Sequence, residues 1–217
     1  MYKTVVFDLD GTLLNTLTDL ADAGNRLCRK YGWPTHERQA YRYFVGNGIP
    51  KLVERLAPAD QRTPAVLEAA LADFKRDYGQ HLRDTTAPYP GIPEMLAKLK
   101  ANGVQLAVFS NKADALAKEV VKDYFGTQYF TIVRGQMTGV APKPAAEGTN
   151  ALLQALHADP ASTLYVGDSN VDVETAHNAN LPCCGAVWGF RTREELNAAE
   201  AEYLAENSDE LYDVIMK

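Results

Sequence analysis

The sequence lacks the features that mark several large protein classes. It has only three cysteines, two of them adjacent (Cys28, Cys183 and Cys184), and no Cys-x-x-Cys or Cys/His spacing. A disulfide framework and a zinc site are therefore not expected, and the cysteines are predicted to be buried thiols. No apolar run approaches the length needed to cross a bilayer, and neither a glycine-rich dinucleotide motif nor a P-loop is present.

An excess of positive charge is also missing. The net charge is -6, which argues against nucleic acid or an anionic membrane as a partner. Met1 leads within four residues into the first predicted strand, so no signal peptide is expected and a cytoplasmic location is predicted. Whether the protein is a monomer or a homodimer is left open by the sequence.

The hydrophobic pattern predicts one short strand followed by a long helical block. The strand spans residues 3–7. From Leu17 to Tyr31 the apolar residues recur at spacings of three and four, which indicates an amphipathic helix. Further helices are predicted over 36–44, 49–56 and 64–83, with Pro64 as a first helical residue behind Thr63. No strand is predicted within 15–87.

After the Pro/Gly-rich boundary near residue 88, apolar strands alternate with helices. Strands are predicted over 104–109, 129–133, 163–166 and 183–187, with helices over 93–101, 113–124, 144–156 and after 169. This alternation predicts an α/β fold with a doubly wound parallel sheet, to which the first strand belongs. The predicted domains are an α/β core of residues 1–14 and 88–217 and an inserted all-helical domain of residues 15–87.

Two carboxylates, Asp8 and Asp10, follow the first strand one residue apart. If the strand geometry continues, both lean toward one point, and a divalent cation or a shared proton would relieve their repulsion. The competing interpretation is an ordinary Asp-Gly turn. A carboxylate at a strand end can attack a phosphoryl group, and a second one can exchange protons with the leaving group and with water.

Later strand ends supply further polar residues. Ser110-Asn111-Lys112 is predicted to lie at a helix N-terminus, which suits an anion, although a simple N-cap would look the same. Lys143 sits between two prolines and could also be merely solvated. Asp168 and Asp172, four residues apart, would face the same side of a helix that begins near Ser169.

Together these residues predict a hard-cation site beside a phosphate site. Asp8, the backbone carbonyl of Asp10, and Asp168 would suffice for Mg²⁺, which takes oxygen ligands. Asp172 is expected as a ligand or as support for one. Lys143 would balance the carboxylates and hold the phosphate.

Four stretches of the chain, in this order, resemble the four motifs of the haloacid dehalogenase superfamily. They are Asp8-x-Asp10-Gly11-Thr12, Ser110-Asn111-Lys112, Lys143-Pro144 and Gly167-Asp168-Ser169-x-x-Asp172. The resemblance implies a Rossmann-like core with a helical cap domain, Asp8 as nucleophile and Asp10 as acid/base. It implies a phosphate site and a Mg²⁺ site. The phosphate residues are Gly11, Thr12, Ser110, Asn111 and Lys143, and the metal residues are Asp8, Asp10, Asp168 and Asp172. The aspartate at position 10 is similar to the phosphatase and mutase branches.

Two departures from the common pattern concern subfamily more than mechanism. Asn15-Thr16 stands where many relatives carry Asp-Ser, and Ala145-Ala146 follows Lys143-Pro144 where a second proline is frequent.

The helical insertion is expected to close over the site and to select the leaving group. Its loop Gly46-Asn47-Gly48 resembles the cap loop of phosphoglycolate phosphatases, and Trp188-Gly189-Phe190 is similar to a loop after their last strand. A flexible helix–helix turn and ordinary packing aromatics are the competing interpretations. The candidate cations for an acidic leaving group are Arg42, Lys51 and Arg55.

The predicted function is Mg²⁺-dependent hydrolysis of a small phosphorylated metabolite through an aspartyl-phosphate, with phosphoglycolate as the leading substrate. A nucleotidase, a pyrophosphatase and a sugar-phosphate mutase remain alternatives within the same chemistry. A non-catalytic phosphate- or metal-binding module is the alternative from another class, although a passive module has no need of Asp10. A scaffold protein would not need so many acids at strand ends.

Overall fold

The computed structural model describes residues 1–217, which divide into two compact units. The first, which we call the core unit, comprises Met1–Leu14 and Pro88–Lys217. The second, the helical unit, comprises Asn15–Ala87.

Strands and helices alternate along most of the chain. The strands are β1 Thr4–Phe7, β2 Leu14–Asn15, β3 Ala87–Pro88, β4 Gln105–Ala113, β5 Phe130–Gln136, β6 Thr163–Gly167, β7 Cys183–Ala186 and β8 Tyr203–Ala205. The helices are α1 Leu17–Tyr31, α2 Arg38–Phe44, α3 Ile49–Leu56, α4 Pro64–His81, α5 Ile92–Ala101, α6 Asp114–Phe125, α7 Ala146–Leu156, α8 Asn170–Asn178, α9 Arg193–Ala198 and α10 Ser208–Met216. Short 3₁₀ turns lie at Ala59–Gln61 and Pro160–Ser162.

The core unit is built on a six-stranded parallel sheet with the order β5-β4-β1-β6-β7-β8. Strand β1 lies in its middle, where Val5 pairs with Leu106 of β4 and with Leu164 of β6. All four residues of β1 are buried, as expected for a parallel strand covered on both faces. The predicted α/β class with a doubly wound parallel sheet is confirmed.

The strand order decides where the motif residues meet. The chain turns to opposite sides of β1, to β4 on one side and to β6 on the other. In open α/β sheets, ligands bind at such a switch point, outside the carboxyl ends of the strands. The residues at the carboxyl ends of β1, β4 and β6 are therefore brought together.

The predicted boundary of the second core strand was wrong. Strand β4 continues through Ala113, and α6 begins at Asp114, so Ser110–Lys112 is extended chain and not a helix N-terminus. Edge strand β5 makes this possible because it runs on to Gln136, which pairs with Ala113 after an irregularity in the register. Strand β8 was missed altogether, since it has three residues and a weak apolar pattern.

The helical unit packs helices α1 to α4 around a small aromatic core. Tyr41, Phe74 and Tyr78 are fully buried, and Gly24 of α1 leaves room for the ring of Tyr41. Helix α4 begins as the sequence indicates, with the Thr63 hydroxyl accepting a hydrogen bond from a backbone N–H of its first turn. It ends two residues before the predicted boundary.

The three cysteines are free and buried, as predicted. Burial raises the pKa of Cys184 to about 12, so its thiol stays protonated and weakly reactive near neutral pH. None of the helices combines the length and the hydropathy of a transmembrane segment.

Asp19, in the first turn of α1, ties the start of the helical unit to its end. One carboxylate oxygen accepts hydrogen bonds from the backbone N–H and hydroxyl of Thr85, and the other accepts the same pair from Thr86. The side chain is buried, and the two threonines directly precede β3. A single carboxylate therefore clamps the two chain segments at which this unit begins and ends.

We expect Asp19→Ala to lower the free energy of unfolding by roughly 3 kcal/mol, because four donors lose a charged acceptor that is buried. Urea unfolding measures the loss. Asp22→Ala is the matched control: Asp22 lies exposed one turn along the same helix and should change stability by less than about 0.5 kcal/mol. Equal midpoints for the two variants would contradict the clamp.

Candidate active site

A lysine bridges two carboxylates at the carboxyl ends of β1 and β6. The Lys143 ammonium lies 2.8 Å from Oδ1 of Asp8 and 2.7 Å from Oδ1 of Asp172. Its side chain is 2% exposed. The loop lysine is thus not solvated, which removes the simpler interpretation of Lys143.

Asp168 is held against the loop that follows β1. Its Oδ1 accepts a hydrogen bond from the Thr12 hydroxyl at 3.3 Å, and its Oδ2 accepts one from the Phe190 backbone N–H at 2.7 Å. A Cβ at Gly11, where φ is +94°, would collide with the same carboxylate. Gly11 is therefore required both for its backbone angle and for the close approach of Asp168.

Asp172 is fixed by the start of α8. In a capping box, its Oδ2 accepts hydrogen bonds from the backbone N–H and the hydroxyl of Ser169, at 3.1 and 2.7 Å. Its other oxygen accepts from Lys143. Both oxygens of Asp172 are thus engaged by protein donors.

Asn111 and Tyr165 hold Lys143 from two sides. The Asn111 side chain accepts from the Lys143 backbone N–H at 2.9 Å and donates to its carbonyl at 3.3 Å. The Lys143 ammonium donates to the Tyr165 hydroxyl at 3.3 Å, and that hydroxyl lies 3.4 Å from the Phe109 carbonyl, to which it donates. The position of the ammonium therefore depends on residues from β4 and β6.

Asp10 has a different lysine as its partner. The Lys112 ammonium lies 3.0 Å from Oδ1 of Asp10, whereas Asp8 pairs with Lys143. Strand β1 ends at Phe7, so the alternation of a strand does not govern the two aspartates. Each carboxylate therefore has its own cation, and the expectation that both lean toward one point stays a prediction.

Burial and like charges disfavour ionisation in this cluster. Burial raises the pKa of Asp8 to about 7; Lys143 opposes the rise, and Asp172 and Asp10 add to it. Burial also raises the pKa of Asp168 well above its usual range, with further contributions from Asp172 and Asp8. For Lys143, burial alone would lower the pKa, but the carboxylates of Asp172 and Asp8 raise it well above its usual value.

The same cluster fits a divalent cation. Asp8, Asp168 and Asp172 each offer one carboxylate oxygen, and these oxygens lie within 4.8 Å of one another. Their donor atoms are the oxygens that hard cations take. The negative charge of the three carboxylates exceeds the positive charge that Lys143 supplies, and a bound cation would favour their ionised forms. Asp10 contributes no carboxylate oxygen to this group.

The remaining residues predicted to hold phosphate lie in the core unit. Ser110 is buried near the end of β4, and its hydroxyl accepts a hydrogen bond from the Lys112 backbone N–H at 3.2 Å. Gly11 and Thr12 form the turn after Asp10, in which the Gly11 N–H donates to the Leu14 carbonyl at 2.8 Å. These contacts are all within the protein, so the phosphate-binding roles of Ser110, Gly11 and Thr12 stay predictions.

The helical unit contains the predicted loop Gly46-Asn47-Gly48 between α2 and α3. Gly46 and Gly48 have φ values of +113° and +82°, which a residue with a Cβ rarely adopts. Arg55 donates to the Phe44 carbonyl and to Oδ1 of Asn47, both at 2.8 Å. The loop is therefore braced by its own unit and is more than a flexible turn.

The three candidate cations of the helical unit differ in their partners. Arg55 braces the loop just described, and Lys51 forms an exposed ion pair with Glu54 at 2.8 Å. Arg42 lies in the last turn of α2. All three remain candidates for an acidic leaving group.

Sequence reasoning missed several contacts of the site. Tyr165 reaches Lys143, Lys112 pairs with Asp10, and the Trp188 indole N–H donates to the Thr12 carbonyl at 3.0 Å. The alternation of a strand could have found Lys112, since it lies on the same face as Ser110 once β4 is extended. Trp188 was a candidate only because its loop resembles a loop of related proteins, and no local pattern pointed to its contact with Thr12.

Comparison with known proteins identifies the class. Residues 5–186 match the family described as haloacid dehalogenase-like hydrolase, and the chain belongs to that family. The match covers most of the chain and includes Asp8, Lys143 and Asp172.

Within that family the chain is a phosphatase. The phosphoglycolate phosphatase of Thiobacillus denitrificans is 31% identical over 191 residues, which cover 87% of this chain and 84% of that protein. The phosphoglycolate phosphatase of Vibrio vulnificus is 31% identical over 222 residues, which cover 99% and 96%. A crystal structure from Lactobacillus delbrueckii subsp. bulgaricus, provisionally named phosphoglycolate phosphatase, has a TM-score of 0.93 and 28% identity, covering 99% of this chain and 98% of that one.

Proposed function

We propose that this phosphatase hydrolyses a small phosphomonoester in a Mg²⁺-dependent reaction through a phosphorylated Asp8, with 2-phosphoglycolate as its leading substrate. The observation that carries the proposal is the arrangement of Lys143 between Asp8 and Asp172, beside Asp168. It combines a nucleophile, a buried cation for phosphate charge and the oxygen ligands of a hard metal.

The first step is phosphoryl transfer to the enzyme. A carboxylate oxygen of Asp8 attacks phosphorus, and the bond from phosphorus to the leaving oxygen breaks with its electron pair. Asp10 donates a proton to the departing alkoxide. Lys143 and Ser110 hold the phosphoryl oxygens, on which the transition state concentrates charge.

The second step regenerates the enzyme. Water attacks the phosphorus of the aspartyl-phosphate while the Asp10 carboxylate takes one of its protons. The bond from phosphorus to Asp8 then breaks, inorganic phosphate leaves, and Asp10 is protonated again for the next turnover. Gly11 and Thr12 form the turn that directly follows Asp10.

Asp8 and Asp168, with the backbone carbonyl of Asp10, would hold Mg²⁺. When bound, the ion would neutralise phosphoryl charge and keep Asp8 ionised. We assign Asp172 to support from outside the ligand shell, because both of its oxygens already accept hydrogen bonds.

The helical unit is proposed to act as the cap and to select the substrate. The loop Gly46-Asn47-Gly48 brings backbone that can approach a small ligand closely, and Arg42, Lys51 and Arg55 offer positive charge for its carboxylate. The two phosphoglycolate phosphatases that are 31% identical support this choice of substrate.

A substrate panel tests the proposal. We expect kcat/KM for 2-phosphoglycolate to exceed that for a nucleoside monophosphate, pyrophosphate and a sugar phosphate by roughly tenfold or more, because the carboxylate would be recognised specifically. Each substrate is assayed with Mg²⁺ and with EDTA, and Mg²⁺ added after EDTA is the control for recovery. Rates for all esters within a factor of two or three would reject the specificity, and isomerisation of the sugar phosphate would indicate a mutase.

A further inference from the structure

Lys112 makes a contact to which the proposed chemistry assigns no role. Its ammonium lies 3.0 Å from Oδ1 and 3.4 Å from Oδ2 of Asp10. The Lys112 side chain is 2% exposed, whereas Asp10 retains 15%. Asp10 therefore remains reachable for a substrate, while the ammonium that contacts it does not.

The sheet explains why these two side chains meet. Strands β1 and β4 are parallel neighbours, with Phe7 paired to Val108. Asp10 lies three residues beyond Phe7, and Lys112 lies four residues beyond Val108 within β4, so both lie at a similar level along the sheet. This register, and the extension of β4 to Ala113, bring Lys112 beside Asp10.

The backbone of Asp10 is already fixed without Lys112. Asp10 and Leu14 form an isolated bridge, and the N–H groups of Leu13 and Leu14 both donate to the Leu9 carbonyl at 3.0 Å. The side chain, however, still has its own rotations. The contact with Lys112 selects one orientation of the carboxylate.

We propose that Lys112 is a positioning residue that holds the Asp10 carboxylate where it exchanges a proton first with the leaving group and then with water. The proposal rests on the function proposed above, in which Asp10 is the acid/base. General acid–base catalysis needs the carboxylate within hydrogen-bond reach of the reacting oxygen, and a misplaced one loses much of its effect. Direct binding of substrate by Lys112 is disfavoured because its ammonium is buried against Asp10.

The test compares leaving groups in the Lys112→Met variant, which keeps the length of the side chain and removes its charge. An alkoxide needs a proton as it leaves, whereas p-nitrophenolate does not. In rapid-mixing experiments we expect the rate of Asp8 phosphorylation by 2-phosphoglycolate to fall roughly 10- to 100-fold. The rate of the p-nitrophenol burst should stay within about threefold of wild type, since Asp10 is dispensable in that step.

Three controls separate positioning from folding. The size of the burst counts active sites, so partial misfolding does not distort the rate. Lys112→Arg keeps a cation and should recover much of the lost rate with 2-phosphoglycolate. Lys118→Met removes an exposed lysine from α6 and should change neither leaving group's rate.

A double variant gives the decisive readout. Asp10→Asn should show the same dependence on the leaving group, and adding Lys112→Met to it should cost little more, because both act through one carboxylate. Equal losses for both leaving groups in Lys112→Met, or additive losses in the double variant, would overturn the proposal. If wild type and Asp10→Asn behave as expected but Lys112→Met resembles wild type, only the role of Lys112 fails. If Asp10→Asn shows no dependence on the leaving group, its role as acid/base fails and the inference with it.

Discussion

Asp8→Asn is expected to lower kcat/KM by about 10³-fold or more, the scale of losses when a nucleophile is removed. The amide has nearly the shape of the carboxylate, so the fold should survive, but it cannot form the aspartyl-phosphate. Hydrolysis of p-nitrophenyl phosphate with Mg²⁺ measures the loss. Asp213→Asn, an exposed substitution on α10, is the matched control and should keep full activity.

In the absence of metal, Asp8→Asn should be more stable than wild type at neutral pH. Because burial raises the pKa of Asp8 from 3.8 to about 7, the folded state binds the extra proton, and that stability is fully present below about pH 4 and lost as pH rises through about 7. In EDTA the wild-type melting temperature should therefore fall across this window, and Asp8→Asn should show a smaller fall.

Metal binding supplies a readout that does not depend on activity. Mg²⁺ should raise the melting temperature of wild type, since a ligand at 100 times its Kd stabilises by about 2.7 kcal/mol. The rise should shrink in Asp8→Asn, which loses a ligand. Full turnover in Asp8→Asn would refute Asp8 as the nucleophile, and an unchanged metal response would remove it from the ligand set.

Lys143→Met is expected to damage both activity and stability. Loss of a preorganised positive group that faces the transferred phosphoryl should cost about 10²- to 10³-fold in kcat. The substitution also leaves Asp8 and Asp172 buried without their shared cation, for which we expect a loss of roughly 3–5 kcal/mol in the free energy of unfolding. Enzyme assays and urea unfolding measure the two effects.

The two variants should affect metal-free stability in opposite directions. Asp8→Asn removes one buried negative charge, while Lys143→Met removes the positive charge that compensates for two. In the double variant Asp8→Asn/Lys143→Met, the loss in the free energy of unfolding should be smaller than in Lys143→Met alone, because only one buried carboxylate is left without a cation. Lys118→Met, which affects an exposed pair, is the control. Strictly additive free energies would show that Asp8 and Lys143 do not interact in solution.

Much of the core could be predicted from local pattern alone. Apolar runs such as Val5-Val6-Phe7 and Leu164-Tyr165-Val166 read as buried strands because parallel strands are covered on both faces. Their alternation with amphipathic helices leaves a doubly wound sheet as the natural arrangement. The candidate residues Asp8, Lys143 and Asp168 could be identified because the carboxyl ends of parallel strands lie at the same edge of a sheet.

Other features could not be predicted because they depend on a neighbouring strand. The end of β4 at Ala113 is set by Gln136 of β5, about twenty residues further along, so local pattern ended the strand too early, at residue 109. Strand β8 exists because Tyr203 meets Cys184 at the edge of the sheet. Asp10 pairs with Lys112, whereas Asp8 pairs with Lys143, and this difference depends on β1 and β4 lying side by side.

The amino-acid sequence alone is enough to identify the chemical groups at the strand ends: carboxylates, a hydroxyl and lysines in an order typical of phosphoryl transfer. Which of these groups contact one another depends on the tertiary structure. Lys143 joins Asp8 to Asp172, and Lys112 joins Asp10, because long side chains reach several neighbours and the strand register selects one. Charge and residue type are local properties of the chain, whereas pairing in a buried site depends on distances of a few ångströms that arise only when β1, β4 and β6 lie side by side.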